Sequence, residues 1–278
     1  MMSILILGSN GTLGQNICNE LKKNNINFFA QSRSKKNKYF CDFNNEKSFL
    51  RLLNKVKPKI VINTISNINV EECEKNFERC FKDNILTAHI ISKICGEKKI
   101  KQIYISTDQV YSSKGYSKEE NVNPINNYGK SKIIAENFVL KNKGVVLRVN
   151  FIHKDKKKRA FHDSVVFSNL KKVNLFNNIL FNPLHVSTLS MIIVSNLNKF
   201  KKGIFNIGAK NKISKEIFIL KLCKILKIKK NFNSVKYLPT LIPRPLDMTM
   251  NINKTSRLLR IKKYDIKEEI NKLANEYK

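Results

Sequence analysis

Residues 3–14, Ser-Ile-Leu-Ile-Leu-Gly-Ser-Asn-Gly-Thr-Leu-Gly, decide the fold of this 278-residue chain. The apolar run Ser3–Leu7 predicts a buried β-strand, and Leu13–Lys23 has the spacing of an amphipathic helix. Three of the nine glycines of the chain, Gly8, Gly11 and Gly14, lie at the junction. A strand that enters a helix through such a turn presents backbone N–H groups at the positive end of the helix dipole. The stretch therefore predicts a turn that binds the pyrophosphate of a dinucleotide.

Beyond this turn, short apolar runs alternate with helical patterns through the first half of the chain. We expect strands at Asn27–Gln31, Lys38–Cys41, Lys59–Thr64, Gln102–Ser106 and Gly144–Val149, and helices at Glu46–Lys55, Phe77–Cys95 and Asn127–Lys141. Nearly continuous apolar strands that alternate with helices are typical of a parallel sheet covered on both faces. The sequence therefore predicts an α/β fold with a doubly wound parallel sheet of the Rossmann type.

After Asn150 the pattern becomes less regular. We expect a strand at Gly203–Gly208, a helix at Ile213–Ile228, a loop with Pro239, Pro243 and Pro245, and a helical tail from Ile266. Residues 1–150 are thus predicted to form the dinucleotide-binding domain. Residues 151–278 are predicted to be mainly a smaller substrate-binding region, with the strand near 203–208 returning to the sheet.

The composition excludes several protein classes. Hydrophobic residues make up 42% and charged residues 27% of the chain, which is typical of a globular protein and not of a disordered or collagen-like one. No apolar run reaches about 18 residues, so we expect no membrane span. The apolar start lacks a basic leader and is interpreted as a strand, not a signal peptide. The six cysteines form no C-x-x-C pair, which favours reduced core thiols and a cytoplasmic location.

The net charge of +32, from 53 basic and 21 acidic residues, could indicate a nucleic-acid or anionic membrane partner. The lysines are scattered through every segment, however, and cluster only at Lys154–Arg159 and Lys227–Lys230. Such scatter favours a compositional bias with lysines on solvated faces. We therefore expect neither a nucleic-acid nor a membrane partner.

The end of the second strand bears on coenzyme choice. An acidic residue at this position would bind the ribose 2′-hydroxyl of NAD. The chain has Ser32 and Arg33 there and no carboxylate. A guanidinium pairs well with a phosphate, so we expect Arg33 to bind the 2′-phosphate of NADP. We therefore expect NADP(H) to be preferred, and NAD(H) stays open.

A catalytic group is predicted around Tyr128 and Lys132. Their i, i+4 spacing places both side chains on one face of a helix. A Tyr and a Lys at this spacing often occur by chance. Their position supports a catalytic role, however, because the helix that carries them follows a strand that ends at Thr107. Reduction of a ketone leaves negative charge on its oxygen, which must then be protonated. We expect Tyr128 to donate that proton, Lys132 to lower the tyrosine pKa and bind the coenzyme ribose, and Thr107 to polarise the carbonyl.

Several longer stretches resemble one family. They are Tyr104–Ser113 (YISTDQVYSS), Pro124–Asn137 (PINNYGKSKIIAEN), Val145–His153 (VVLRVNFIH), Val61–Glu74 (VINTISNINVEECE), Asn182–Thr188 (NPLHVST) and Ile242–Met248 (IPRPLDM). Together they make the chain similar to the dTDP-4-dehydrorhamnose reductase family, within the extended short-chain dehydrogenase/reductase superfamily. The glycine spacing G-x-x-G-x-x-G is also similar to that superfamily. The resemblance implies NADPH-dependent reduction of a 4-keto-6-deoxy sugar nucleotide for cell-surface polysaccharide, and it leaves a homodimer open.

The resemblance also assigns further residues, in addition to those argued above. Asn63, Thr64 and Ile65 would line the nicotinamide side, and Asn84 would support the site. Asp42 would accept from the adenine, although a helix cap before Glu46 explains it equally well. The residues expected at the coenzyme are Gly8, Asn10, Gly11, Thr12, Leu13, Gly14, Ser32, Arg33, Asp42, Phe43, Asn63, Thr64, Ile65, Tyr128 and Lys132. Those expected at the substrate are Asp108, Val110, Phe151, His153 and Arg244, the last as a ligand of the diphosphate; no metal ligand set is expected.

The chain departs from the family at several points, which leaves alternatives open. Phe151 stands where the family has an aromatic residue, usually Trp, and Ser112–Ser113 replaces its Asp-Gly. Gln109 stands where related 4,6-dehydratases carry a catalytic Glu, which disfavours dehydration because an amide does not shuttle a proton. A 4-epimerase with the same Tyr and Lys is one alternative. A non-catalytic NADP-binding regulatory subunit is another.

Overall fold

The computed structural model describes residues 3–34, 36–113, 115–155, 160–170, 172–238 and 242–278. The predicted loop residue Pro239 and most of the basic cluster 154–159 lie outside these ranges. The strands are β1 (Ile4–Leu7), β2 (Phe28–Gln31), β3 (Ile60–Asn63), β4 (Lys101–Thr107), β5 (Val145–Val149), β6 (Phe151–Ile152), β7 (Lys172–Phe176), β8 (Leu180–Phe181), β9 (Leu184–His185), β10 (Gly203–Ile207), β11 (Ile213–Ser214) and β12 (Asn231–Val235).

The α-helices alternate with these strands. They are α1 (Thr12–Lys23), α2 (Glu46–Val56), α3 (Val70–Lys75), α4 (Phe77–Cys80), α5 (Thr87–Glu97), α6 (Asn127–Lys141), α7 (Phe161–Val166), α8 (Val186–Ser195), α9 (Lys215–Leu226), α10 (Asn253–Leu259) and α11 (Ile266–Asn275). A π-helix at Phe81–Leu86 joins α4 to α5, and a 3₁₀ turn at Asp108–Val110 follows β4.

Six strands form one parallel sheet in the order β10-β5-β4-β3-β1-β2. Alternate side chains of β1 point to opposite faces of the sheet and show which helices cover each face. Ile4 and Ile6 pack in one cluster with residues of α1 and α8, whereas Leu5 and Leu7 pack in another with residues of α2 and α5. Helices α5 and α6 cover Tyr104 and Val146 on that second face. The prediction of a doubly wound parallel α/β sheet is thus confirmed.

The second half of the chain contributes to this sheet and adds smaller pairings. Strand β10, which was predicted near 203–208, pairs in parallel with β5 at the sheet edge. Three further two-stranded sheets, β11-β8, β12-β7 and β6-β9, lie outside the main sheet. The predicted helix Ile213–Ile228 begins two residues later, because Ile213 and Ser214 pair with β8 instead. Ser214 caps the helix by accepting a hydrogen bond from the N–H of Ile217.

The predicted strand at Lys38–Cys41 is wrong. The side-chain oxygen of Asn37 accepts a hydrogen bond from the N–H of Tyr39 at 2.8 Å, and the Asn37 carbonyl accepts from the N–H of Phe40 at 3.0 Å. An asparagine that binds the backbone two residues ahead closes a turn that competes with a strand. The aromatic residues that imitate a strand pack locally instead, with Tyr39 edge-on to Phe29.

The predicted helix Phe77–Cys95 begins at Phe77 as expected and runs to Glu97, but it contains a π-helical segment at Phe81–Leu86. A separate short helix, Val70–Lys75, precedes it and ends before Asn76. The side chain of Asn76 accepts a hydrogen bond from the N–H of Arg79 at 2.9 Å and so starts a new helix. The π-helix that follows adds a residue to the turn around Asn84, which lies in the site described below.

A buried polar network fastens helix α6 to the sheet and to the C-terminal region. Glu136 of α6 forms an ion pair with Arg148 of β5, with Nη2 and Oε2 2.6 Å apart, and accepts from the Ser106 hydroxyl at 2.5 Å. The guanidinium also donates to the Tyr111 hydroxyl at 2.7 Å, and that hydroxyl donates to Asn206 of β10 at 2.8 Å. Glu136 and Arg148 are almost fully buried, so each charge depends on the other.

All six cysteines are buried and unpaired. Among the described residues, no helix has the length and apolar character that crossing a bilayer requires.

Replacing Glu136 by Gln should lower the free energy of unfolding by about 3–5 kcal/mol, because a buried guanidinium loses its counter-charge. Urea denaturation followed by circular dichroism measures this. The matched control is Glu120→Gln at an exposed position, which should change stability by less than about 0.5 kcal/mol. A Glu136→Gln protein as stable as that control would contradict the role given to the network.

Candidate active site

The glycine turn has the predicted geometry. Gly8 has a φ of +83°, which is strained for residues with a side chain, and a Cβ on Gly14 would lie 2.4 Å from the Gly8 carbonyl oxygen. Helix α1 therefore begins close against the end of β1. Among the described residues no side chain caps α1, so none of them competes with a ligand for its first-turn N–H groups. Asn10 and Gly11 are exposed, Thr12 is partly exposed, and Leu13 is in the core.

The end of β2 supports this turn and leaves Arg33 open. The Gln31 side chain accepts from the N–H of Gly8 at 3.2 Å and donates to the Ser32 carbonyl at 2.9 Å. The side-chain amide of Gln31 is therefore engaged with the backbone at the end of β2. The next residue, Ser32, is fully buried. Arg33 is exposed, and no described group forms a hydrogen bond or ion pair with its guanidinium.

Asp42 and Phe43 have local partners. The Asp42 carboxylate is exposed and accepts from the N–H of Asn44 at 3.0 Å. The cap of α2 is Asn45, so the alternative interpretation of Asp42 as that cap is wrong. The Phe43 ring is buried against Phe49, with centroids 5.6 Å apart, which makes it a core side chain.

The end of β3 reaches the glycine turn. The Thr64 hydroxyl donates to the Leu7 carbonyl at 2.7 Å, and the Asn63 side-chain oxygen accepts from the N–H of Ile65 at 3.0 Å. Asn63 is fully buried, and Ile65 packs at the edge of the core. These three predicted residues therefore lie together beside Gly8, as expected for one wall of a coenzyme site.

Tyr128 and Thr107 meet at the carboxyl end of β4. Gly129 allows this, because a Cβ there would lie 2.7 Å from the Gln109 carbonyl oxygen, so α6 packs directly on the turn after β4. Burial raises the pKa of the Tyr128 hydroxyl well above its ordinary value, and the nearby hydroxyls of Thr107 and Ser66 act in the opposite direction. The tyrosine is thus a neutral phenol beside two hydroxyl groups.

Lys132 lies one turn further along α6 and is almost fully buried. Its ammonium group donates to the Ile105 carbonyl at 2.9 Å and lies over the Tyr104 ring, 4.1 Å from its centroid. Burial lowers the lysine pKa to about 7, and Glu136 opposes that change. Burial dominates the pKa of Tyr128, and the hydroxyls of Thr107 and Ser66 are the main groups that lower it, so the effect expected of Lys132 on this pKa stays a prediction.

Asn84 holds the loop after β3 against α6. Its side-chain oxygen accepts from the N–H of Asn67 at 2.7 Å and from the Ser66 hydroxyl at 3.0 Å. Its amide nitrogen is 3.1 Å from the Ser131 hydroxyl. Asn84 therefore positions Ser66 beside Tyr128, as the supporting role predicted for it requires.

Asp108 is a buried carboxyl next to the tyrosine. Burial raises its pKa to about 7, while hydrogen bonds from Asn150 and Thr107 and the charge of Lys215 lower it. Its two oxygens accept from Asn150 and, at 3.3 Å, from the Thr107 hydroxyl. Val110, in contrast, is fully buried in a cluster with Tyr111 and Met250, so its side chain is part of the core.

The remaining predicted substrate residues lie in the C-terminal half. Phe151 is partly buried, with its ring 6.0 Å from that of His153. The Nδ1 atom of His153 lies 3.0 Å from the Lys154 carbonyl oxygen. The backbone carbonyl of His153 lies 2.8 Å from Nε2 of His162. Arg244 forms an ion pair with Glu71 of α3.

Three polar residues of the site had not been singled out as functional. They are Ser66, Asn150 and Lys215, and all act electrostatically on Tyr128 or Asp108. Asn150 directly follows β5 and Ser66 lies three residues beyond β3, both at the carboxyl edge of the sheet. The argument that singled out Thr107 could have found these two. Lys215 carried no such signal, because the fold of its region was not predicted in enough detail.

The edge of the sheet fits a nicotinamide dinucleotide. Two residues predicted at the coenzyme have buried polar atoms with no partner, the Ser32 hydroxyl and the Asn63 amide nitrogen. Such atoms are rare in folded proteins and are commonly satisfied by a ligand or water. Hydroxyl and phosphate oxygens of a dinucleotide supply the acceptors and donors that these atoms lack.

Comparison with known proteins shows the family of the chain. A family model described as the RmlD substrate binding domain matches residues 2–278. The chain is 26% identical over 161 residues to dTDP-4-dehydrorhamnose reductase of Salmonella typhimurium, covering 56% of this chain and 53% of that protein. It is 28% identical over 200 residues to methionine adenosyltransferase 2 subunit beta of Xenopus laevis, covering 68% and 60%. Several curated relatives are thus matched over only about half of their length.

Solved structures share the fold over the whole chain. The dTDP-4-dehydrorhamnose reductase of Bacillus anthracis, solved in complex with NADP, superimposes with a TM-score of 0.89 at 22% identity and covers 99% of this chain and 100% of its own. Because the family model spans nearly every residue, the chain belongs to the RmlD substrate binding domain family.

Proposed function

We propose that this protein reduces the ketone of a 4-keto-6-deoxy sugar nucleotide with NADPH and so makes an activated deoxysugar for polysaccharide synthesis. The observation that carries the proposal is the buried Tyr128 hydroxyl beside the Thr107 hydroxyl, at the sheet edge where the glycine turn begins. The Salmonella and Bacillus anthracis reductases named above support the substrate class. We place the reaction in the cytoplasm.

Tyr128 has the protonation state that a proton donor needs. When bound, the coenzyme supplies the hydride, and the substrate oxygen becomes an alkoxide that requires one proton. A phenol whose pKa is raised by burial holds its proton at neutral pH. Thr107 lies beside the same hydroxyl and can donate a hydrogen bond to the carbonyl oxygen before transfer. Such a pre-placed donor stabilises developing negative charge, because the site is buried from water.

Lys132 is suited to hold the coenzyme ribose and to stabilise the tyrosinate after proton transfer. Its ammonium has one neutral acceptor, the Ile105 carbonyl. Burial lowers the lysine pKa to about 7, and the charge of Glu136 offsets that effect only in part. The negative charge that appears on Tyr128 during turnover would favour the charged form of the lysine.

NADPH is the proposed coenzyme because the end of β2 offers a cation and no carboxylate. Gln31 is engaged with the glycine turn, and Arg33 is free to meet a 2′-phosphate. Support for a nicotinamide dinucleotide also comes from structural neighbours, one solved with NADP and another, a dTDP-glucose 4,6-dehydratase of Bacillus anthracis, solved with NAD.

A regulatory subunit is the second candidate function. It is favoured by the similarity to methionine adenosyltransferase 2 subunit beta of Xenopus laevis, which covers 68% of this chain. The pairing of Tyr128 with Thr107 argues against it, because a binding subunit does not require a buried proton donor at the sheet edge.

Replacing Tyr128 by Phe should lower turnover by about 10²–10⁴-fold while NADPH still binds, because only the proton donor is lost. Coenzyme absorbance at saturating substrate measures turnover, and fluorescence titration measures NADPH binding. The control is Tyr116→Phe, at an exposed tyrosine whose hydroxyl accepts a hydrogen bond from the N–H of Lys212, and this variant should keep normal turnover. Near-normal turnover by the Tyr128→Phe protein would remove the assignment.

Replacing Arg33 by Asp should weaken NADPH binding by about 10- to 100-fold and leave NADH binding within about threefold, because only NADPH carries the 2′-phosphate. The control is Arg51→Asp on the exposed face of α2, which makes the same change of charge elsewhere. Equal losses for the two coenzymes would show that Arg33 does not contact the 2′-phosphate.

A further inference from the structure

A basic groove lies at the amino ends of three adjacent strands of the main sheet, β4, β5 and β10. Its volume is about 640 Å³. Half of the described residues that line it are lysines, namely Lys99, Lys101, Lys141, Lys143, Lys201 and Lys202. None of the other described residues that line it is charged. Lysine and arginine together make up only 53 of the 278 residues of the chain, so the groove concentrates positive charge.

The topology of the sheet gathers these lysines from three separate loops. Lys99 lies between α5 and β4, Lys143 between α6 and β5, and Lys201 between α8 and β10. The loops are far apart in the sequence, where their lysines form no cluster. All strands of a parallel sheet begin at the same edge, so the loops that lead into neighbouring strands lie side by side. The charge is therefore local in the structure, although it is scattered in the sequence.

The charges of the groove are not balanced by nearby carboxylates. None of the six ammonium groups forms an ion pair with a carboxylate in the part of the chain that the structure describes. Lys101 is partly buried, and its nitrogen donates to the Leu197 carbonyl at 2.5 Å. Burial and the charge of Lys201 both lower the pKa of Lys101. A concave surface lined by one sign of charge concentrates counter-ions, so the groove attracts anions.

The ends of two helices explain only part of this charge. Cations near the carboxyl end of a helix interact favourably with its dipole. Three of the lysines lie within or just beyond the last turns of α5 and α6. Lys101 instead begins β4, and Lys201 and Lys202 lie several residues beyond the end of α8. The helix dipoles therefore leave half of the lysines in the groove without an interaction partner.

We propose that this groove binds a small molecule that carries a chain of three phosphates, either inorganic tripolyphosphate or the triphosphate of a nucleotide. Such a chain carries several negative charges, and lysines bind phosphate as point charges from several directions. The volume of the groove is in the range of small-molecule sites. It favours a small molecule over a nucleic acid, whose specific sites bury about 1,000 Å² or more of protein surface.

The groove is separate from the candidate active site. Strand β4 runs from Lys101 at the groove to Thr107 at the active site, a length of about 20 Å. The coenzyme and the triphosphate should therefore bind at the same time. The proposal thus goes beyond the proposed function and does not depend on it.

The test compares the wild type with two double variants. Lys141→Gln/Lys201→Gln removes one charge from each side of the groove, and Lys221→Gln/Lys224→Gln makes the same change at exposed positions of α9. Calorimetry at about 0.15 M salt measures binding of tripolyphosphate, with NADPH present at saturation. We expect one tripolyphosphate per wild-type chain, about 10- to 100-fold weaker binding by the groove variant, and less than threefold change for the α9 variant.

ATP in place of tripolyphosphate distinguishes the two sources of the phosphate chain. Equal affinities would assign recognition to the phosphates alone, whereas tighter binding of ATP would identify a nucleotide as the ligand. Either result supports the site, provided that the groove variant weakens it. Melting temperatures check the fold, because both double variants alter exposed lysines and should melt as the wild type does without ligand. Tripolyphosphate should raise the melting temperature of the wild type more than that of the groove variant.

Three results would overturn the proposal. Equal losses of affinity in the two double variants would show an effect of net charge and not a site. Displacement of tripolyphosphate by NADPH, with no loss in the groove variant, would place the anion in the coenzyme site. Binding of a long RNA together with no saturable binding of tripolyphosphate would make the groove part of a nucleic-acid surface.

Discussion

The parallel register of the central sheet is the constraint on which the site depends. Leu7 lies opposite Asn63, and Asn63 lies opposite Tyr104, so the carboxyl ends of three adjacent strands meet at one edge. Strand β4 then continues three residues beyond Tyr104 to Thr107, which projects about 10 Å further along the strand direction. The register thus brings the glycine turn and Asn63 together, and it places the hydroxyl of Thr107 beyond them in the strand direction.

Close packing of α6 turns this edge into a site. The absence of a side chain at Gly129 lets α6 press on the carbonyl of Gln109, which brings Tyr128 to Thr107. The helix is fastened where it begins, because Glu74 accepts from the N–H of Asn127 at 2.5 Å. It is fastened further along by the ion pair of Glu136 with Arg148. The burial that results keeps Tyr128 protonated and the charge of Lys132 sensitive to its surroundings.

The sequence predicted those parts of the molecule that local patterns determine. The strand–turn–helix at residues 3–14, the parallel sheet and the Tyr128–Lys132 spacing on one helix all follow from periodicity, glycine placement and strand ends. The strand predicted at Lys38–Cys41 shows where such patterns fail. The side chain of Asn37 binds the backbone of Tyr39 and forms a turn there, although the aromatic residues favour a strand. The effect of Lys132 on the Tyr128 pKa could not be derived from the sequence for a different reason. It depended on burial and on the direction of the ammonium group, which spacing along a helix does not determine.

The most direct test of the account is the stoichiometry of coenzyme use with a panel of 4-keto-6-deoxy sugar nucleotides. Coenzyme absorbance and product analysis are followed in the same reaction with the wild-type protein. The account predicts that one NADPH is oxidised for each ketone converted to an alcohol. Interconversion of sugar epimers without net NADPH oxidation would contradict it in favour of an epimerase. NADPH binding without conversion of any member of the panel would contradict it in favour of a binding subunit.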